Sequence, residues 1–375
     1  MVVGASIAGV TAVRELRALG HRGAITMIGA DPHGSYARPP LSKAVLKDSA
    51  ADAALGYRLD DLDVNSVRSA AVAADFDRRT VVTADGETIS YDALIIASGA
   101  EARRIAAPGQ RGELVLRTLD DARTLRPRLA AATSVIVVGA GFLGMEVASA
   151  CVARGIPVTV IDVDPPLHTI LGSYLSGVIT ARAEEKGVRI RRTTEFVTLV
   201  GDPVSGVALP GGEVLTADLV VTCAGDIPNT SWLAGTALAD RIGIGIDDAC
   251  MTTVPAVYAA GDVAYLRTMN KRAPFWSNAV AQAKVAAASA LRLQPVGPAS
   301  DDYFWTEILG ISIKVIGRLP VTGAPTTVEG SLADGSALLA WRHGAGEATV
   351  VAYGVRKSIA GLRSLANSPT RSSRA

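Results

Sequence analysis

A glycine-rich turn set between a β-branched run and a helical pattern occurs twice in this chain. The first copy is VVGASIAG, residues 2–9. Val10, Val13, Leu16 and Leu19 follow near helical spacing, Gly20 stops the helix, and AITMIG at 24–29 reads as the next strand. The second copy is SVIVVGAGFLGMEVASACVARGIPVTVID, residues 134–162, with its helix ending at Gly155 and PVTVID as its second strand. Gly4 and Gly139 stand 135 residues apart. Strand, glycine turn, helix and parallel strand make a βαβ unit, so the repeat predicts an α/β chain with two Rossmann-like dinucleotide-binding domains. Composition agrees: 49% of residues are hydrophobic but only 5% aromatic, as suits parallel strands buried on both faces. A length of 375 residues allows two or three domains.

Each glycine in GAGFLG has its own task. Gly139 permits the tight turn, Gly141 lets backbone approach a pyrophosphate, and Gly144 lets the helix press on the strand, with Phe142 and Leu143 between them. The N–H groups and dipole of the helix start then favour phosphate. Asp162 ends the next strand, 18 residues after Gly144, near the spacing of a ribose-binding acid. A carboxylate there accepts from a ribose 2′-hydroxyl and repels a 2′-phosphate, and Val163, Asp164 and Pro165 supply no arginine. The preferred nucleotide is therefore read as NADH over NADPH.

The first turn reads Gly4, Ala5, Ser6, Ile7, Ala8, Gly9, with serine in place of the middle glycine. Asp31, 22 residues after Gly9, is its ribose candidate, because Ala30 takes the earlier position. Only two apolar residues precede Gly4 after Met1, which points to a natural start upstream. A third signal is TTVPAVYAAGDVA, 252–264, where a short strand ends in Gly261-Asp262. A carboxylate at that edge of a parallel sheet lies where ligands bind, and it could accept bonds from a ribityl chain.

Several classes are disfavoured. Net charge is +1 with no long basic run, so no nucleic-acid partner is expected. No run of about 18 apolar residues and no leader pattern occur, so the chain reads as cytoplasmic, with no membrane partner. Cys151, Cys223 and Cys250 form no C-x-x-C pair and the four histidines are scattered, which argues against a metal site and a local redox disulfide.

Between the βαβ units lie a hairpin-like region, 79–99, with Asp85-Gly86 as the turn signal, and a Pro/Gly stretch at 107–112. A second hairpin is expected around PGGEV, 210–214, before ADLVVTCAGDIPN, 217–229, returns the chain. QPVGPAS near 295 reads as a linker, and 303–360 as alternating strands with a final helix around 359–366.

GASIAG, YARPPLSK, LIIASGAEAR, GAGFLGMEVA, VYAAGDVA and FWSNAVAQAKVAA occur together and in order. In this the chain resembles the FAD-dependent ferredoxin reductase family, which includes putidaredoxin reductase and the reductase components of aromatic dioxygenases. That family is a branch of the pyridine nucleotide-disulfide oxidoreductases without the redox disulfide. The resemblance implies an FAD domain over 1–109 and 227–295, an inserted NAD domain over 110–226, and a C-terminal α+β interface domain over 296–375. It implies that NADH passes a hydride to FAD, and that electrons leave singly for a [2Fe-2S] ferredoxin feeding a monooxygenase or dioxygenase. Rubredoxin, a quinone or a non-enzymatic NADH-sensing role stay open, as does monomer against homodimer.

The same resemblance places the RPPLSK segment beside the flavin, with its backbone fixed in advance by two prolines. Lys43 is implied near flavin N5, where its charge stabilises added electron density, with Glu146 as its partner. Arg38 is read as neutralising the FAD pyrophosphate. Trp276 is read as a flavin contact heading a helix capped by Ser277 or Asn278. Gly99 and Gly225 are further implied cofactor contacts. The family's WSDQ segment reads Trp305-Thr306-Glu307-Ile308 here, and Pro274 replaces an acid. Arg267, Lys271, Arg272, Arg342, Arg356 and Lys357 are candidates for a basic partner surface.

Overall fold

The computed structural model describes residues 1–343 and 347–367. By its contacts the chain divides into two compact units. One comprises Met1–Pro39, Ala53–Glu101 and Asp226–Asp301; the other comprises Pro40–Asp52, Ala102–Gly225 and the chain from Asp302 on.

The first unit is built on a five-stranded sheet in the order Val257–Ala259, Leu94–Ile96, Val2–Val3, Ile25–Ile28, Val64–Val67. Every pairing is parallel. Leu94–Ile96 and Val257–Ala259 are buried at every position, as unbroken apolar strands in a covered parallel sheet must be. Helices Ile7–Ala18 and Trp276–Ala290 contact each other and the sheet, and Val13, Ala283 and Ala287 share its core with Ile28 and Ile96. The 79–99 region resolves into Thr80–Thr83 and Thr88–Ser90, antiparallel across Asp85-Gly86, with Ala71–Asp75 as a third strand.

In the second unit the four-stranded parallel sheet runs Arg189–Arg192, Val158–Asp162, Val135–Val138, Leu219–Thr222. Helix Phe142–Val152 rises from its glycine turn. The hairpin expected near 210–214 is Val204–Ala208 with Val214–Thr216. Beyond 302 an antiparallel sheet runs Tyr303–Ile308, Ile311–Ile316, Ala348–Tyr353, Ser336–Arg342, Thr327–Ser331, and helix Ile359–Ala366 packs on it through Leu362 and Ala366. Within the expected C-terminal domain, residues 344–346 and 368–375 lie outside the described residues. Among the described residues no helix is long and apolar enough to cross a membrane.

Both sequence-predicted βαβ units are present, so the class is α/β with Rossmann-like parallel sheets.

Candidate functional site

In each unit two of the three turn positions are closed to any side chain by the protein's own backbone. A Cβ on Gly139 would lie 2.2 Å from the Cys223 carbonyl oxygen, and one on Gly144 would lie 1.9 Å from the Gly139 carbonyl oxygen. Gly4 and Gly9 repeat the pattern at 2.0 Å from the Ala97 oxygen and 1.8 Å from the Gly4 oxygen. Gly141 differs. A Cβ there meets no atom within 4 Å, and its φ of −71° suits any residue. Nothing in the protein's own packing requires glycine at 141, and the position opens onto space at the start of the helix, as a close approach of ligand to backbone would need. Ser6 holds the matching place as N-cap of helix Ile7–Ala18, and its hydroxyl makes no cap bond.

The helix starts differ in their capping. Helix Leu119–Ala131 is closed by a full capping box at Thr118 with Asp120 and Asp121 in its first turn, and Ser358 caps Ile359–Ala366. The helices that begin at Ile7, Phe142 and Trp276 have no side-chain cap and no acid in the first turn. Ser277 and Asn278 do not cap the last of these, contrary to expectation. Phe275 is its N-cap, and the Asn278 amide donates instead to the Ala273 carbonyl at 3.0 Å. Helix Ser173–Glu185 also lacks a side-chain cap and a first-turn acid, so the missing caps do not by themselves mark a site; at the two glycine turns they are compatible with an anionic ligand.

The two candidate ribose acids are partly engaged. Asp162 Oδ2 accepts from the Ala140 N–H at 2.6 Å, and Oδ1 accepts from the N–H groups of Val163 at 2.6 Å and Asp164 at 3.3 Å. The carboxylate therefore fastens the end of its strand to the glycine turn. With three of about four acceptor sites filled, Oδ2 retains capacity for one more donor. Asp31 accepts from the Tyr36 hydroxyl at 2.6 Å and the His33 N–H at 3.0 Å, with Arg38 at 3.9 Å. Arg38 also lies over the Tyr36 ring, 5.7 Å from its centre.

In the second unit Lys43 meets Glu146. The Lys43 ammonium donates to Glu146 Oε1 at 2.7 Å, with the side chains 16% and 9% exposed. A pair this enclosed needs further hydrogen bonds to offset desolvation. Thr306 supplies one, donating its hydroxyl to Oε1 at 2.8 Å, and the Ser42 hydroxyl donates to Oε2. The Trp305 ring faces the ammonium, 4.9 Å from its centre.

Local structure explains why Lys43 stands there. Pro39–Ser42 forms one 3₁₀ turn, which suits residues of fixed φ, and Lys43 is the N-cap of the short helix Ala44–Lys47. Arg126 donates to the Val45 carbonyl at 2.9 Å and Arg154 donates to that of Leu46, tying down the last turn. Asp52 pairs with Arg123 and Arg126, each at 3.0 Å. Burial pushes the Asp52 carboxyl up, but the two arginines together outweigh it and hold it below its ordinary range.

The remaining expected residues are placed as follows. Gly261 takes φ +81° and donates to Gln282 at 2.8 Å, leading into Asp262. Gly99 and Gly225 have positive φ with open space where a Cβ would stand. Trp276 is 43% exposed. Of the candidate surface cations, Arg272 is tied to Asp226 at 2.6 Å and Arg267 to Asp247 at 3.6 Å. Sequence reasoning assigned no role to Ser42 or Thr306, and no role to Arg126, Arg154 or Asp52; only Thr306 carried a signal, as a departure from the family segment.

All three cysteines are unpaired. Burial pushes the Cys151 thiol up to about 12, and burial with the Glu146 charge pushes Cys223 up to about 12. Such thiols stay protonated at pH 8, and the thiolate is the reactive form. Iodoacetamide at pH 8 should accordingly leave both unmodified in the native protein over hours, as mass spectrometry would read. Rapid labelling of either would contradict their inertness.

Residues 1–283 match the family described as pyridine nucleotide-disulphide oxidoreductase. The chain is 33% identical over 333 residues to the rubredoxin-NAD(+) reductase of Pseudomonas putida, covering 85% of this chain and 86% of that one. It is 34% identical over 353 residues to the ferredoxin reductase component of chlorobenzene dioxygenase from a Cupriavidus species, covering 90% and 85%. Among solved structures it resembles the covalent putidaredoxin reductase–putidaredoxin complex, with a TM-score of 0.84, 28% identity and coverage of 97% and 91%.

Proposed function

This chain belongs to the pyridine nucleotide-disulphide oxidoreductase family, and from that premise we propose that it is an FAD-dependent NADH:ferredoxin oxidoreductase serving a monooxygenase or dioxygenase. The observation that carries the reading is the enclosed Lys43–Glu146 pair, closed by two hydroxyls, in a chain with two uncapped glycine turns and no cysteine pair. Flavin supplies the exchange of a two-electron hydride for single electrons. The protein's own part is to bind, orient and balance charge.

Residues 1–109 and 227–295 are read as the FAD domain, 110–226 as the NAD domain, and 296–375 as the interface domain. Gly4, Ser6, Ile7, Ala8 and Gly9, with Arg38, hold the FAD pyrophosphate, and Asp31 its ribose. Gly99, Gly261, Asp262 and the start of the Trp276 helix hold the rest of the flavin nucleotide. Gly139, Gly141, Phe142, Leu143 and Gly144 hold NADH, with Gly225 beside them and Asp162 on the ribose. Lys43 offsets the negative charge that reduction adds, and Glu146 orients and neutralises the ammonium. The inert thiols fit electron exit to a protein carrier better than dithiol chemistry. Use of NADH and the unpaired cysteines suit a cytoplasmic setting.

Asp162→Ala is expected to lower the NADH-over-NADPH preference in kcat/KM by about tenfold, the scale of one charge-assisted hydrogen bond. An unchanged ratio would remove Asp162 from the ribose site.

A second acceptor, rubredoxin, is favoured by the similarity to a rubredoxin reductase. The deciding experiment is to purify the protein, record its visible spectrum, and mix it with NADH and a panel of [2Fe-2S] ferredoxins and rubredoxins. A yellow protein that reduces a ferredoxin supports the first reading, and reduction of rubredoxin alone supports the second. A colourless protein that takes up no FAD, or one that reduces neither carrier, defeats both.

A further inference from the structure

We infer that Thr306 is a positioning residue for the reaction: through its hydrogen bond to Glu146 it sets how much of the Lys43 charge remains for the flavin. The inference rests on the role proposed above for the Lys43–Glu146 pair and extends it to a strand of the C-terminal sheet.

Thr306 lies in strand Tyr303–Ile308, pairs with Ile313, and has no exposed surface, while its neighbour Glu307 faces outward. At a fully buried strand position packing alone would be met by valine, which has nearly the same shape and no hydroxyl to desolvate. The hydroxyl is instead placed 2.8 Å from Glu146 Oε1, the same oxygen that Lys43 contacts at 2.7 Å. Ser42 takes the other oxygen. Three donors thus share one carboxylate. Each hydroxyl takes up part of its charge, so the ammonium is held in place without being fully neutralised.

The residues around Thr306 join the strand to the same two elements. Phe304 packs on Phe142 of the glycine-turn helix with ring centres 4.0 Å apart, and Trp305 faces the Lys43 ammonium. Just past the strand the Leu309 N–H donates to the Ser149 hydroxyl at 2.8 Å. Residues 304, 305, 306 and 309 are thus each held against helix Phe142–Val152 or Lys43, and Thr306 has little freedom to turn its hydroxyl elsewhere.

If Thr306 is replaced by valine, Glu146 Oε1 loses one of its two donors and turns more of its charge on Lys43, and the ammonium has less to offer a reduced ring. In the FAD-loaded protein, Thr306→Val is expected to lower the limiting rate of flavin reduction by NADH about tenfold, with KM for NADH unchanged. The flavin midpoint potential should become more negative. Thr306→Ser should restore both, the rate to within about twofold, because it keeps the hydroxyl and loses only a methyl group. In a Glu146→Gln background, Thr306→Val should add less than about twofold, since the two act as one unit.

A Thr306→Val protein with wild-type rate and potential would overturn the inference. So would Thr306→Ser being as impaired as Thr306→Val, which would assign a packing role, or a full tenfold loss persisting in the Glu146→Gln background. If Thr306→Val does not fold, Thr306→Ala is read by the same criteria. Glu146→Gln alone separates the two levels: if it moves neither rate nor potential, the role of the pair fails and takes that of Thr306 with it. If Glu146→Gln is impaired while Thr306→Val is not, Thr306 alone is wrong.

Discussion

Lys43→Ala is expected to slow the reduction of bound flavin by NADH by about 100-fold, on the scale of removing one preorganised charge or donor from a developing anion. The yellow colour should be retained, because the FAD pyrophosphate is assigned to the Gly4–Gly9 turn and not to Lys43. Stability should fall as well. The substitution leaves Glu146, 9% exposed, without its cation. Breaking a buried pair costs about 3–5 kcal/mol, and the lower end applies because Ser42 and Thr306 still donate to the carboxylate. Stopped-flow absorbance at the flavin band separates the two effects, since the reduction rate is measured on protein that remains folded. A reduction rate equal to wild type would end the assignment of Lys43.

Gly144→Ala and Gly141→Ala should part company, although the residues are three apart in one turn. At 144 the new methyl would sit 1.9 Å from the Gly139 carbonyl oxygen and 3.4 Å from the Val137 side chain. Alanine improves helix propensity by about 1 kcal/mol over glycine, but forcing helix and strand apart costs more, about 3–5 kcal/mol. Overlap wins, and the thermal midpoint should drop by about 10 °C. At 141 the methyl meets no protein atom, and the backbone angle is ordinary. The midpoint there should stay within about 2 °C, while KM for NADH rises about tenfold or more because the methyl takes the space a pyrophosphate needs. Equal loss of stability in both variants would refute the division of labour between the glycines. A Gly141→Ala protein with unaltered KM would remove the nucleotide from this turn.

Much of the fold was legible because its signals are local. A β-branched run, a glycine that must take positive φ, and a helical pattern specify a βαβ unit within about 30 residues. Both copies, the Asp85-Gly86 hairpin and the final helix Ile359–Ala366 stand where the pattern put them. The caps were less legible. Ser277 and Asn278 are good capping residue types, yet the helix begins at Trp276 with Phe275 as its N-cap, two residues before Ser277 could serve, and Asn278 turns back to Ala273. The role of Asp162 was half visible: its position at the strand end is a matter of spacing, but its bond to the Ala140 N–H depends on how the turn folds back.

Read by itself, the sequence determined the two glycine turns, the strands that flank them and the pairing of Lys43 with Glu146 that its family likeness implied. Only the tertiary structure decided what else holds that carboxylate. Its donors Ser42, Lys43 and Thr306 lie 104, 103 and 160 residues away along the chain. No local propensity distinguishes a serine or threonine that will meet a buried charge from one that will not. That choice is made when strand Tyr303–Ile308 and the RPPLSK segment are brought against one helix, and the cost of leaving a buried carboxylate unsatisfied then selects the hydroxyls that reach it.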